Sequence, residues 1–527
     1  MGLVMKNKFP FIGALLLALP TALFADIVYQ GKRVAEWPEE ARPSFNNSRT
    51  ALLRTQATTT RSHYAAPKGK IYSLTLLVDF SDKPAPVTVS EVEDWLNKEG
   101  FNRDGCNGSV RDYYLDVSNG QLDLTNEVFG WYRAKHPKSW YESLNGYSGS
   151  DSLMKEVFAY YDSQVDFSRY DNDKDGTTEA INIVYAGAGE TWGQGLWPHS
   201  GWSSERRDGV KLTHHQMTDM PGKFSIYVFV HESGHMIFGW PDLYWYGDYC
   251  TMGNRANDLN PVAINDFFRA DQGWIPFVDI TSDDVNNVTS LEVTQPGEVC
   301  YRYKNPSRPD KEGLVWSYVR NTGRDKVLAG SGLLMQHYDF SIEGNSASDK
   351  LGLRIVHASA AGKSSDNVAD QWPDPGSTAN TFFKSGTYPE FSDDAYPAIR
   401  WYSGSMTGLK ITGIGTPGET LTFCIGENCT EPVSSSSSAP EEISSSSEEP
   451  TVSSSSVVLE SSSSSDAPEI SSSSSATSII ITNTLKVKHG RAGNKLYNVL
   501  GMPVGQRTES GALPDNLPKG IYVEVVK

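Results

Sequence analysis

Hydrophobic positions along this chain fall into blocks, and their period changes from block to block. The first block, Phe11 to Phe24 with one proline, follows a basic start (Lys6, Lys8) and ends at Ala25 before polar Asp26. A basic head, an apolar run short for a spanning helix and a small terminal residue describe a secretory signal peptide over residues 1–25. Residues 26–68 are polar with few apolar clusters, which predicts a leader or short pro-segment. From Ile71 the run Ile71-Tyr-Ser-Leu-Thr-Leu-Leu-Val-Asp-Phe is β-branched and apolar, as a buried strand requires. Ser90 offers an N-cap to a helix reaching Leu96, Val110 to Leu115 predicts a second short helix, and Ile181 to Ala186 another buried strand. Strands alternating with helices predict a mixed α/β domain over residues 69–278.

The texture then shifts to short alternating strands between Gly, Asn and Pro turns. Leu314–Val319, Gly332–Tyr338, Leu351–His357, Leu409–Ile414 and Thr420–Ile425 predict an antiparallel β-sandwich over residues 279–430. Pure serine tracts alternating with Glu and Pro fill residues 431–478, too poor in apolar surface to fold, and predict a disordered linker. Residues 479–527 regain strand texture, with Ile479-Ile-Ile-Thr, Lys495-Leu-Tyr-Asn-Val-Leu-Gly and Lys519-Gly-Ile-Tyr-Val-Glu-Val-Val-Lys, and predict a small C-terminal β-domain. The expected fold class is an α+β multidomain chain.

Charge and cysteine content narrow the classes. The net charge is −18, but the linker alone holds eight acidic residues and no Lys or Arg, so the folded part is only mildly acidic. No basic stripe exists of the kind nucleic-acid binding needs. After the first block no apolar run is long enough to span a bilayer, so no integral membrane segment is expected in the mature form. Five cysteines without a C-x-x-C pair argue against a cysteine metal site; Cys424 and Cys429 are close enough to close a small loop.

The chemistry concentrates in His231-Glu232-Ser233-Gly234-His235. On a helix, residues four apart share a face, so both imidazoles can approach one ion with Glu232 beside them. Zinc held by three protein ligands keeps a position for water and lowers its pKa to about 7, and a neighbouring carboxylate can take the proton. The β-branched start, Ile226 to Val230, also permits a strand, which would separate the rings wrongly. Asp242 is the expected third ligand, with Asp248 and Asp266 as rivals, and Tyr244, Tyr246 or Tyr249 could donate to an oxyanion.

The stretch Val228-Phe-Val-His-Glu-Ser-Gly-His-Met-Ile-Phe-Gly-Trp-Pro-Asp-Leu-Tyr, followed by Cys250-Thr-Met-Gly, resembles the immune inhibitor A family of secreted zinc metallopeptidases. Leu77-Val-Asp-Phe-Ser-Asp, Gly108-Ser-Val-Arg-Asp-Tyr-Tyr, Tyr170-Asp-Asn-Asp-Lys-Asp-Gly, Trp197-Pro-His, Gly332-Leu-Leu-Met-Gln-His-Tyr-Asp and Pro373-Asp-Pro-Gly agree with it in order, over residues 70–425. The resemblance implies a zincin catalytic domain, a following β-sandwich, protein or peptide substrates and calcium as a structural metal. Between the second His and Asp242 the chain is one residue longer than the common family pattern, which leaves the third ligand open. Met252 matches the methionine that forms a turn beneath the metal in related zincins. Residues 479–527 resemble the C-terminal domain that directs bacterial proteins to type IX secretion, implying a secreted or cell-surface location and the secretion machinery as a partner.

Asp171, Asp173, Asp175 and Glu179 place hard oxygen donors at short spacing around Gly176, suited to Ca²⁺, although the twelfth loop position is Asn182 and not Glu. His199 and the pair His214-His215 could reach the cleft but are expected to be structural or surface histidines, and His337 within an apolar strand a satisfied core group. Two alternatives to an endopeptidase share these motifs: an exported zinc hydrolase acting on another amide, and a surface binding protein with a vestigial metal site.

Overall fold

Strand β3, Gly69–Asp79, sends Leu74, Leu76 and Val78 into one hydrophobic core and Ile71 and Leu77 into another, so both faces of its sheet are covered. That is why every position from Ser73 to Asp79 is buried, the polar Ser73 and Thr75 included. The computed structural model describes residues 68–144, 146–189, 195–342, 352–358, 380–394 and 400–427, with the backbone of strands at 27–29, 32–34, 495–498, 503–506 and 522–525. The expected signal peptide (1–25), the serine linker (431–478) and most of the leader and C-terminal segment lie outside the described residues. The described part is mixed α/β with several sheets and few helices. None of its helices is long and apolar enough to cross a membrane.

In chain order the first part contains β1 (Ile27–Tyr29), β2 (Lys32–Val34), β3, α1 (Val89–Asn97), α2 (Val110–Val117), β4 (Leu122–Arg133), α3 (Lys138–Glu142), α4 (Ser148–Tyr161) and β5 (Ile181–Ala186). It continues with β6 (His199–Trp202), the hairpin β7 (Arg206–Arg207) and β8 (Val210–Lys211), β9 (His214–Met220), α5 (Tyr227–Phe238) and α6 (Asp266–Asp271). Seven strands form one sheet in the order β2-β1-β6-β9-β5-β3-β4. Strands β4, β3, β5 and β9 run parallel, and β6 is antiparallel to β9. Helices α1, α2 and α5 pack on one face through Trp95, Tyr113, Phe229 and Ile237, and α4 packs on the other through Leu153, Val157 and Phe158.

Local signals explain the helix starts. The N-cap of α1 is Thr88 and not Ser90, because Thr88 and Glu91 close a reciprocal capping box. Ser109 and Asp112 form the same box on α2, which runs two residues beyond the expected Leu115. Trp95 of α1 meets Phe229 of α5 edge-on at 5.2 Å, an arrangement contributing about 1 kcal/mol beyond area burial.

The second part holds β10 (Phe277–Ile280), α7 (Ser282–Asn286), β11 (Thr289–Val293), β12 (Cys300–Lys304), β13 (Glu312–Val319), β14 (Gly332–Asp339), β15 (Leu353–Val356), β16 (Ile411–Thr412) and β17 (Leu421–Ile425). Two sheets, β10-β12-β13-β14-β15 and β11-β17-β16, enclose a core that includes Tyr301, Trp316, Met335 and Phe423. The expectation of wholly antiparallel pairing fails at one place: β10 runs parallel to β12, because α7 and β11 intervene and return the chain in the same direction. Cys424 is disulfide-bonded while Cys106, Cys250 and Cys300 are free; the remaining cysteine, Cys429, lies outside the described residues. Near the end, β18 (Lys495–Asn498), β19 (Pro503–Gln506) and β20 (Tyr522–Val525) form a three-stranded antiparallel sheet.

Candidate metal centre

Helix α5 is buried almost all round, only Val228 being partly exposed. This full burial outweighs the strand preference of its β-branched start. One helical turn brings the His231 and His235 rings to 4.7 Å between centroids, nearly perpendicular, with their Nε2 atoms 3.1 Å apart. The helix stops at Gly239, whose φ of 64° is left-handed, and Trp240 N–H donates back to the Gly234 carbonyl. The reversed chain then delivers Asp242, whose Oδ1 lies 3.2 Å from His231 Nε2 and 3.1 Å from His235 Nε2.

The ring orientations are fixed from behind. His231 Nδ1 is 2.9 Å from the Thr251 carbonyl and His235 Nδ1 is 2.6 Å from the Trp240 carbonyl. Carbonyl oxygens only accept, so both Nδ1 atoms carry the hydrogen and both Nε2 lone pairs face Asp242. Burial lowers the His231 pKa, favouring its neutral, ligating form. Burial alone would raise the Asp242 carboxyl, but the imidazoles of His235 and His231 outweigh it and hold it well below the usual carboxylate range.

Two lone pairs and a carboxylate oxygen converging at 3.1–3.2 Å repel one another unless a cation lies among them. Bonds of roughly 2.0–2.1 Å at tetrahedral angles put neighbouring zinc ligands about 3.3 Å apart, so this donor set fits zinc. Glu232 follows His231 on the helix and is fully buried.

The rivals for the third ligand are engaged or remote. Asp266 is paired with Arg269 at 2.6 Å, and Asp248 does not join the group. Among the three tyrosines, Tyr246 lies in the first core, and Tyr249 Oη donates to Thr381 Oγ1. Tyr244 is partly exposed and its ring is parallel to that of His231 at 6.3 Å.

Met252 sits against α5: a Cβ on Gly234 would stand 2.6 Å from its Sδ. Sequence reasoning did not find Tyr227, whose Oη donates to the Gly253 carbonyl and lies 3.4 Å from His231 Nδ1. Its position one helical turn before His231 was the available signal. The carbonyls of Thr251 and Trp240 carry no sequence signal, because any residue supplies one.

The second cluster also comes together. Oxygens of Asp171, Asp173, Asp175 and Glu179 lie within 4.8 Å of one another. Asp171 accepts from the N–H groups of Asp175 and Gly176 at 3.1 and 3.0 Å, and the left-handed Lys174 (φ 62°) and Gly176 (φ 88°) fold the loop around it. Glu179 is 2% exposed, and burial pushes its carboxyl up to about 8. Its Oε2 accepts from Asn172, while Oε1 has no hydrogen-bond partner. A buried acid with an orphaned oxygen among three other carboxylates fits a hard cation such as Ca²⁺. Asn182 turns away to Ser73 and Thr75 and joins no ligand set.

His199, His214 and His215 lie on β6 and β9, outside both clusters, and burial lowers their pKa values to about 4, 3 and 3. His337 is a core residue whose Nε2 is 3.0 Å from Glu312 Oε1. Compared with protein-family models the chain matches none, and no curated protein matches it.

Proposed function

We propose that this chain is a secreted zinc-dependent endopeptidase of the immune inhibitor A kind, with His231, His235 and Asp242 as zinc ligands and Glu232 as general base. The observation that carries the reading is the convergence of three ligand atoms within 3.2 Å, with both imidazoles locked by backbone carbonyls to offer Nε2. Zinc held there supplies a polarised carbonyl and a water whose pKa falls to about 7. With zinc held there, Glu232 would serve as the residue that takes a proton from water and returns it to the leaving amine, and Tyr244 would donate a hydrogen bond to the oxygen that gains charge.

Four parallel strands and antiparallel β6, covered by the metal helix, support the zincin assignment. The two sheets around the second core support the β-sandwich assignment. The apolar segment before Ala25 and the C-terminal strands support export, with sorting by the secretion machinery. Ca²⁺ at Asp171, Asp173, Asp175 and Glu179 is assigned a structural role.

The test compares the full chain with Glu232→Ala, Asp242→Asn and Asp266→Asn for zinc content and cleavage of unfolded casein. Glu232→Ala retains zinc and loses about 10²–10⁴-fold in cleavage. Asp242→Asn loses zinc, and Asp266→Asn keeps it. An intact chain that binds no zinc, or binds it and leaves casein whole, refutes the reading.

A further inference from the structure

Helix α5 begins at Ile226, which has no polar side chain to cap it. Its first donors are met by the main chain: the N–H groups of Ile226 and Tyr227 both go to the Asp258 carbonyl, at 3.1 and 3.2 Å. The strap that brings Asp258 there starts at Gly253, whose carbonyl accepts from Tyr227 Oη. It turns at Asn257, whose Oδ1 accepts from the N–H groups of Leu259 and Asn260, both at 2.9 Å, and continues to Ala263.

The far end of this strap is gripped by the second part of the chain. Asn260 Nδ2 donates to the carbonyls of Gly323 and Arg324 at 3.3 and 3.1 Å, and Ala263 N–H donates to Asp325 Oδ1 at 2.9 Å. Arg324 is 8% exposed, with its guanidinium 4.8 Å over the Tyr113 ring of α2 and paired with Asp116 at 2.8 Å. It also donates to the Asn107 carbonyl, and Asn107 donates to Asn260 Oδ1 at 2.6 Å and to the Leu259 carbonyl at 2.7 Å. The turn Gly323–Val327 is thus wedged between α2 and the strap.

We propose that this turn is a positioning element for the two-histidine site: Asp325, with the carbonyls of Gly323 and Arg324, holds the strap so that Asp258 caps α5 and fixes the helical turn that leads to His231. The inference rests on the zinc reading above and adds to it a dependence of that site on residues from the other part of the chain.

The contact differs from general packing in kind and in place. Where Tyr338 stacks on Phe267 the two parts meet through apolar surface, whereas here they meet through directed hydrogen bonds. It acts, moreover, at a helix end, where release of the strap leaves the first N–H groups of α5 unmet. Tyr227 lies in that first turn, with Oη 3.4 Å from His231 Nδ1. Fraying there frees the Gly253 carbonyl and, two residues earlier, the Thr251 carbonyl that orients His231. Loss of such an outer contact weakens metal affinity by about 10–100-fold.

The test uses the full chain and the variants Asp325→Ala, Asp325→Asn, Asn260→Ala and Met335→Ala. Asp325→Ala leaves the Ala263 N–H unmet, Asp325→Asn keeps an oxygen for it, and Met335→Ala opens the second core instead. Tm, zinc affinity against a competing chelator, amide exchange at 226 and 227, and casein cleavage are measured on each. Asp325→Ala should exchange about ten-fold faster at 226 and 227 and bind zinc about ten-fold more weakly. Asp325→Asn should match the parent in both, and Met335→Ala should lower Tm while moving neither. Asn260→Ala removes the other half of the grip and gives the same reading if Asp325→Ala does not fold. Parental exchange and zinc affinity in Asp325→Ala or Asn260→Ala overturn the proposal, as does an equal effect from Met335→Ala or from Asp325→Asn. Faster exchange and weaker zinc in Asp325→Ala, with casein left whole by every protein including the parent, supports the positioning role and refutes the peptidase reading, so the two failures are told apart.

Discussion

Gln216 on β9 donates its side-chain N–H to Ser233 Oγ on α5 at 2.9 Å. The other N–H of the same amide goes to Asn182 Oδ1 at 2.6 Å, and Asn182 donates in turn to Ser73 and Thr75 of β3. A chain of buried amides and hydroxyls thus fixes the helix carrying Glu232 against three neighbouring strands. Ser233→Ala leaves one buried N–H unmet and is expected to cost about 1–3 kcal/mol. Urea denaturation of Ser233→Ala, Gln216→Ala and the double variant checks it: strictly additive losses would show that the contact carries no coupling.

Gly234 touches Met252 where any side chain would collide. The added methyl of Gly234→Ala would meet Met252 Sδ at 2.6 Å and Trp240 Cε3 at 3.1 Å. Overpacking of this kind costs about 1–3 kcal/mol, and here it also pushes the turn that orients His231. Both Tm and zinc affinity should fall. Shortening the partner, in Gly234→Ala with Met252→Ala, should recover part of the zinc affinity; no recovery would place the strain elsewhere.

The acidic loop predicts a calcium response independent of zinc. Calcium should raise the Tm of the full chain, and Glu179→Gln should abolish that rise while leaving the calcium-free protein as stable or more so, since the cost of burying a carboxyl whose pKa is pushed up to about 8 is removed. Scanning calorimetry with and without calcium decides it, and an equal rise in both proteins would exclude this loop as the site.

Acid should unfold the protein early. His199, His214, His215 and His337 have folded pKa values of about 4, 3, 3 and 4, below the ordinary value near 6.5. The unfolded chain therefore takes up protons first as pH falls. Stability from these groups is complete above about pH 6.5 and is lost as pH drops from there toward 4, by up to about 1.4 kcal/mol per unit per histidine. His215 lies against Gly201, where no Cβ crowds its ring. His215→Phe should flatten the stability profile between pH 6 and 4 by one histidine's share, and an unchanged slope would count against burial as the cause.

The motif His231-Glu232-x-x-His235 and the acidic loop were legible as clusters because their members lie close in sequence. Asp242 stayed open among rivals because its placement depends on the left-handed turn at Gly239, and one residue of extra spacing does not announce such a turn. The cap of α1 was legible as Thr88-x-x-Glu91 but competed with Ser90 two positions on. The Asn182, Gln216 and Ser233 chain was out of reach, since its members are 17 to 34 residues apart and meet only once the sheet is assembled. Parallel pairing of β10 with β12 was hidden for the same reason: strand direction follows from the route of α7 and β11, which periodicity does not encode.

The sheet β10-β12-β13-β14-β15 is coated on both sides. Tyr301, Trp316 and Met335 face the second core, while Cys300, Val315, Leu334, Tyr338 and Ile355 are built into the first, where Tyr338 stacks on Phe267 of α6 at 5.3 Å. The half that carries His231 and His235 is therefore no detachable cassette. Severing the chain after residue 278 would strip an apolar wall from beneath α6 and leave it open to aggregation.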